Sequence, residues 1–124
     1  VYDHQRLCGK IARAMGMPAA VVLWAQHHDD HEYVTGDIPR PLQRVIAAGF
    51  LRSLQERWDV AICGALGIPL PTPAVRSQVA VVDDVALALE WMHCIGRDFA
   101  EVGVDDDIRG LAARYAHLML EFAP

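Results

Sequence analysis

Apolar residues recur along the chain at spacings of three and four, and the alternation of a half-buried strand is nearly absent. Over residues 4–15, Leu7, Ile11 and Met15 form a narrow stripe, which predicts a helix with one buried edge. Gly16 ends it, and Pro18 suits the first turn of the next helix. That second helix, 18–30, carries Val21, Val22, Leu23 and Trp24, is apolar almost all round, and is expected at the centre of the fold. From Tyr33 to Pro41 the pattern breaks at Gly36, Pro39 and Pro41, which predicts a structured loop. Residues 41–48 and 50–66 read as two helices jointed near Gly49, the second closed by Gly67. Pro69, Pro71 and Pro73 stiffen a linker. A long helix is predicted over 74–95, ending at Gly96. A last one is predicted over 105–122, opened by Asp105, Asp106 and Asp107, whose charges favour a helix N-terminus. No repeat or low-complexity segment interrupts this series, so the expectation is a single compact all-α bundle over residues 1–124.

Composition narrows the class. The length of 124 residues suits one domain. At 53% hydrophobic and 22% charged, the chain is too apolar and too weakly charged for disorder. Its longest stretch without a strongly polar residue, Ala14 to Ala25, contains Gly16 and Pro18 and is too short and broken to cross a bilayer. Acidic residues outnumber basic ones 16 to 11. That balance argues against a nucleic-acid duplex as partner, since such proteins bind by neutralising phosphates, but it leaves room for a small charged metabolite. Cys8, Cys63 and Cys94 are an odd set without CxxC spacing among apolar neighbours. They read as core thiols of a reduced compartment, and with no signal-peptide pattern the cytoplasm is expected.

The chemistry concentrates in Gln26-His27-His28-Asp29-Asp30-His31-Glu32, which holds three of the six histidines and three carboxylates. Alone, such a run is as readily a solvated helix end. Asp83 shifts the balance. It lies on the line Ala80, Asp83, Leu87, Cys94 of the long helix, and a carboxylate on such a face is expected to be buried and to need a cation or several donors. Asp84 faces Val81 and Ala88, so periodicity does not choose between the two, and an ion pair with Arg76 or Arg97 is the plain alternative. His4 opens the first helix and matters only as a further ligand. Asp37 sits in Gly36-Asp37-Ile38-Pro39-Arg40-Pro41, where glycine and two prolines would hold it rigidly; an ordinary turn Asp is the alternative. Two imidazoles and two carboxylates make an N2O2 set that suits one divalent transition ion such as Mn, Fe, Co, Ni or Zn, with Mg also admitted. His28 and Asp29 are neighbours on a helix and diverge by about 100°. One ion meets both only at the helix end, with the other ligands coming from other helices, as His4 and Asp83 would.

The order His, then His-Asp, then Asp on successive helices resembles the HD-domain metal-dependent phosphohydrolases. His28-Asp29 through Glu32 and on to Gly36-Asp37-Ile38-Pro39-Arg40-Pro41 resembles the block HD-x-x-E-x-x-x-GD-[IL]-P-x-P of the small 5′-deoxynucleotidase branch, which includes phage-encoded relatives and the phage dATP triphosphohydrolases. Val82 to Glu90 resembles the later A-D-x-x-A-L-x-x-E helix and selects Asp83 over Asp84. Tyr2-Asp3-His4 resembles the first-His motif, and the likeness covers roughly residues 2–95.

The resemblance implies an HD-type fold with His4, His28, Asp29 and Asp83 as metal ligands. Glu32 would stand beside the ion's water. Asp37 would orient or deprotonate the nucleophile, or contact the sugar. His31 would face either the substrate phosphate or solvent. Where the family usually has Lys, this chain has Gln43, so a phosphate contact is lost or passed to Arg40 or Arg44. The family also carries an Arg-containing helix before the first His. This chain begins at Val1, so either that part precedes it in the native protein or the pocket is built differently. The implied activity is hydrolysis of phosphate from 2′-deoxynucleotides. The rivals are a dNTP triphosphohydrolase, a non-catalytic module that binds metal and nucleotide, and a plain helical bundle with chance acid clusters. A nucleotide is the expected partner, together with a second copy of the chain.

Overall fold

Helix α1, Tyr2–Ala14, buries Leu7, Cys8, Ile11 and Ala12 along one edge. The structure, a computed structural model, describes residues 2–46, 48–95 and 105–122, with the side chains of residues 40, 48, 94 and 95 outside that description. After α1 the chain reverses at Gly16, whose φ of +69° is a conformation that costs other residues Cβ strain. Pro18 precedes α2, Ala19–Ala25. Then come α3, Glu32–Thr35; α4, Arg40–Val45; α5, Ala48–Leu66; α6, Pro73–Glu90; and α7, Asp106–Tyr115. A π turn, Trp91–Ile95, extends α6, and a 3-10 turn, Ala116–Glu121, extends α7.

The central element is α6, not the second helix as the apolar run 21–24 suggests. Helix α6 packs on α1, α2 and α7 through Val79, Val82, Val85, Ala86 and Leu89. In α2, Val21, Trp24 and Ala25 are buried while Val22 and Leu23 are half-buried, so it forms one wall of the core. Helix α5 turns Leu51, Asp59 and Cys63 inward. Among the described residues there is no strand, and no helix is long and apolar enough to cross a membrane. The fold is compact and all-α.

Local chemistry sets the helix ends. Thr72 Oγ1 accepts from Val75 N at 3.2 Å with Pro73 in the first turn, and Asp105 Oδ1 accepts from Ile108 N at 2.8 Å. Gly67, at φ +68°, closes α5 while Ile68 N donates back to Cys63 O at 3.1 Å. Several predicted bounds shift. The helix expected over 18–30 stops at Ala25, and residues 26–31 wind on as successive turns. The joint expected at Gly49 falls earlier, so Gly49 lies inside α5. Part of the loop expected from Tyr33 is the short α3, and the chain opens at Gly36, φ +75°. Gly96 and Arg97 lie outside the described residues.

One close approach positions the site. A Cβ on Gly9 would lie 2.7 Å from Gln26 Cγ, so the Gln26 side chain packs on α1 where position 9 has no side chain and would have to shift to admit one. Gly9→Ala is therefore expected to be net destabilising. The overpacking cost of about 1–3 kcal/mol exceeds a helix-propensity gain of about 1 kcal/mol or less. Gly64→Ala is the control. A Cβ there meets nothing within 4 Å, so the propensity gain alone should raise stability. Urea unfolding of both variants checks the two signs.

Candidate metal centre

Three elements that are distant in sequence deliver ring nitrogens and carboxylates to one place. Helix α1 brings His4 and, one turn on, Cys8. The turns after α2 bring His28 and Asp29, and α6 brings Asp83. His4 Nε2 lies 2.8 Å from Asp83 Oδ1 and 3.7 Å from Asp29 Oδ2. His28 Nε2 lies 3.2 Å from Asp29 Oδ2 and 3.7 Å from Asp83 Oδ1. The four expected ligands thus meet, and the neighbouring positions of His28 and Asp29 are no obstacle because regular helix has ended before them. Donor atoms of His4, Cys8, His28 and Asp83 all lie within 4.8 Å of one another.

The far side of each ring is fixed. His28 Nδ1 donates to Ala25 O at 2.9 Å, which turns Nε2 toward the cluster. That Nε2 is buried, with the Asp29 and Asp83 carboxylates beside it. His4 Nδ1 donates to Glu90 Oε1 at 2.8 Å. A ring nitrogen tied to a carbonyl or carboxylate behind a second nitrogen that faces the cluster is the usual support of a metal-binding histidine. The residues present fit a divalent ion: two ring nitrogens and two carboxylates converge, and that donor set is chemically suited to one.

Electrostatics describe the same cluster without an ion. Burial disfavours a charged His28, but hydrogen-bonding and charge from Asp29 and Asp83 outweigh it and raise its pKa to about 10. His4 is likewise raised far above its ordinary value, burial being overcome by Asp83, Cys8 and Glu90. Burial would push Asp83 up, yet the two imidazoles hold it below the usual carboxylate range. Protons on the rings therefore do what a cation would do. Burial raises the Cys8 thiol, as it would a core cysteine.

Two cavities flank the cluster. The larger, about 640 Å³, is lined by His4, Asp29, Glu32, Asp37, Gln43 and Glu90 among others. Glu32 is half-buried, and burial together with the charges of Asp29 and Asp37 raises its pKa. Asp37 is exposed on the same wall. Gln43 Nε2 donates to Ile38 O at 2.7 Å and so pins the loop. The smaller cavity, about 290 Å³, reaches from His28 and Asp83 to Trp24, Arg52, Asp59 and Arg76. His31 lines both.

Some expectations need correcting. Asp83 does not lie on the buried face, because Ala80 and Leu87 beside it are exposed. It stands at the edge of that face, where its carboxylate reaches the cluster while the apolar line one position back enters the core. Asp84 is exposed. Arg76 pairs with Asp59 instead, Nη1 to Oδ2 at 3.5 Å. His31 is not at the surface. It is buried, with Nδ1 3.4 Å from Asp59 Oδ1. Arg44 is exposed and lines neither cavity, and the side chain of Arg40 lies outside the described residues.

Sequence reasoning passed over several neighbours. Cys8, read as a plain core thiol, has Sγ 3.5 Å from His4 Nε2, and the i, i+4 spacing from His4 was the available signal. Gln5, buried, donates to Asp30 Oδ1 at 3.0 Å, and Asp30 Oδ2 accepts from His27 at 2.7 Å, which ties the turns to α1. Asp59 on α5 carried no signal, because its partners come from other elements.

No protein-family profile matches the chain, and no solved structure matches it significantly. An uncharacterized protein of Rhodobacter capsulatus is 33% identical over 94 residues, covering 70% of this chain and 47% of that protein. The chain thus spans about half the length of that curated relative.

An ion must displace the ring protons, which sets the pH dependence. Both histidines have folded pKa values above the unfolded value of about 6.5. In the ion-free protein their stabilising contribution is full below that value and, for His28, is lost as pH rises through about 10. Ion binding releases those protons, so its stabilisation grows over the same window. The melting-temperature increase produced by added Mn or Co should be small at pH 6 and larger at pH 8.5. Calorimetry in buffers of different ionisation enthalpy should register the released protons. Both signals should vanish in His28→Ala.

Proposed function

We propose that this chain is a metal-dependent phosphohydrolase of the HD-domain type that acts on 2′-deoxynucleotides. The observation that carries the reading is the meeting of His4, His28, Asp29 and Asp83 from three elements, in the order of the HD pattern, with the buried His28 Nε2 turned in among them. Glu32 and Asp37 on the adjoining cavity wall support it further.

A divalent ion held by those four residues supplies Lewis acidity toward a phosphoryl oxygen and lowers the pKa of water from 15.7 toward about 7. The chain's own groups handle the rest. Glu32 accepts the nucleophile's proton at its carboxylate, and its raised pKa brings that carboxylate nearer the operating pH, where a general base works best. Asp37 orients the nucleophile or receives a sugar hydroxyl. Water oxygen bonds to phosphorus, the bond from phosphorus to the nucleoside oxygen breaks, and that oxygen takes up a proton. The larger cavity offers carboxylate acceptors to the hydroxyl and amino groups of a nucleoside.

Exposed Leu42 and Val45 on α4 and Phe50 in the first turn of α5 support a second copy as partner. The free, buried Cys8 and Cys63 support a reducing compartment, the cytoplasm. The second reading, a module that binds nucleotide without cleaving it, draws on Gln43, whose amide is engaged with Ile38 O at the position where the family's Lys is expected.

Glu32→Gln separates proton handling from metal binding. It should keep the metal and the melting temperature while lowering kcat by about two orders of magnitude or more, measured as deoxynucleoside and phosphate released. Asp83→Ala should lose metal and stability together. Full activity in Glu32→Gln would transfer the proton role to Asp37. No hydrolysis of any deoxynucleotide by the parent in Mn or Co would leave the binding module.

A further inference from the structure

The two cavities beside the metal cluster differ in charge. The larger is walled by Asp29, Glu32, Asp37 and Glu90 and repels a phosphate chain. The smaller carries Arg52 and Arg76, and His28 and Asp83 form its inner end. Arg76 is held in place. Its guanidinium carbon stands 5.2 Å from the Trp24 ring centre, and Nη1 lies 3.5 Å from Asp59 Oδ2. Asp59 is shared with His31, so its charge is opposed within the protein. A guanidinium already fixed by stacking and an ion pair loses little freedom when it takes up a ligand. Arg52 extends from the exposed side of α5 into the same cavity. Glu56 is the one further carboxylate on that wall.

We infer that this smaller cavity is the subsite for phosphate groups beyond the one at the metal cluster, with Arg52 and Arg76 as their ligands. The inference rests on the phosphohydrolase reading and deepens it: the substrate is a nucleoside di- or triphosphate whose outer phosphates point toward α5, so that cleavage at the nucleoside oxygen releases the phosphate chain in one piece. It also reassigns the positive charge expected from Arg44, which lines neither cavity. Guanidinium groups meet phosphate oxygens in pairs of parallel hydrogen bonds, and two of them on one wall suit a chain of phosphates better than a single one.

Calorimetric titration with inorganic tripolyphosphate and with orthophosphate tests this, with Mn in excess of protein and ligand. Arg52→Ala should weaken tripolyphosphate binding by about tenfold or more, the loss of one charge-assisted contact, and leave orthophosphate unchanged. Arg76→Ala should do the same, but it strips a partner from buried Asp59 and can disturb folding, so exposed Arg52 decides. Unaltered tripolyphosphate binding in a folded, metal-loaded Arg52→Ala overturns the assignment, as does equal weakening of both ions or a parent that does not bind tripolyphosphate. The titration needs no turnover. Arg52-dependent binding without hydrolysis of any nucleotide would uphold the subsite and remove the enzyme reading. Hydrolysis of a deoxynucleoside triphosphate that is indifferent to Arg52→Ala would do the reverse.

Discussion

His4 joins the first turn of α1 to α6 through both of its ring nitrogens. Asp83 lies on one side and Glu90, nearly two turns further along α6, on the other, each at 2.8 Å. Few side chains so short reach two carboxylates on one helix. The pairing is also mostly out of water, with 14% of the His4 side chain exposed. Charges this sheltered destabilise the fold unless they are matched, and removing one partner costs more than the pair itself contributes. The contact that aligns α1 with α6 is therefore the contact that forms the candidate metal centre.

Around that pairing the neighbouring groups restrict one another. Ala25 O fixes the ring orientation of His28, so Nε2 faces His4 and Asp29. Gln5 holds Asp30, and Asp30 holds His27, so the turns that carry His28 cannot slide along α1. Gly9 lets Gln26 approach α1 at a distance that a Cβ would forbid. None of these groups need touch an ion or a substrate. They make the cluster's geometry a consequence of helix packing, which is how a site is preorganised on rigid elements instead of on a loop.

What the sequence made legible follows from how local each cause is. Gly16, Gly67, Pro18 and Thr72 act within a few residues, and the helices they bound lie close to where the apolar periodicity puts them. The set His4, His28, Asp29 and Asp83 is implied by the resemblance to the HD-domain phosphohydrolases, which also selects Asp83, whereas the burial argument leaves Asp83 and Asp84 both open. The surroundings of that set were not legible. Whether Asp83 is inside the core or at its edge depends on a rotation of α6 by less than one residue, which period alone leaves undetermined. That His31 turns inward depends on Asp59, twenty-eight residues on and on another helix. The eclipse of the second helix by α6 as the central element came from length: α6 is long enough to meet three partners, whereas α2 ends after seven residues.

The net charge of −5 suggests a protein that would repel nucleotides, and it is a poor guide because charge acts over short distances. At physiological ionic strength the screening length is about 8 Å, so an exposed carboxylate on the far side of α7 contributes little at the cluster. What a phosphate would meet is set by the groups lining the cavity it enters. There the acids of the larger cavity and the arginines of the smaller one belong to two linings that share Asp83 and His31. An ion at the cluster would add two positive charges beside both cavities. That addition would draw a phosphate to the boundary, and the charge on either side would then decide which way the rest of the molecule lies.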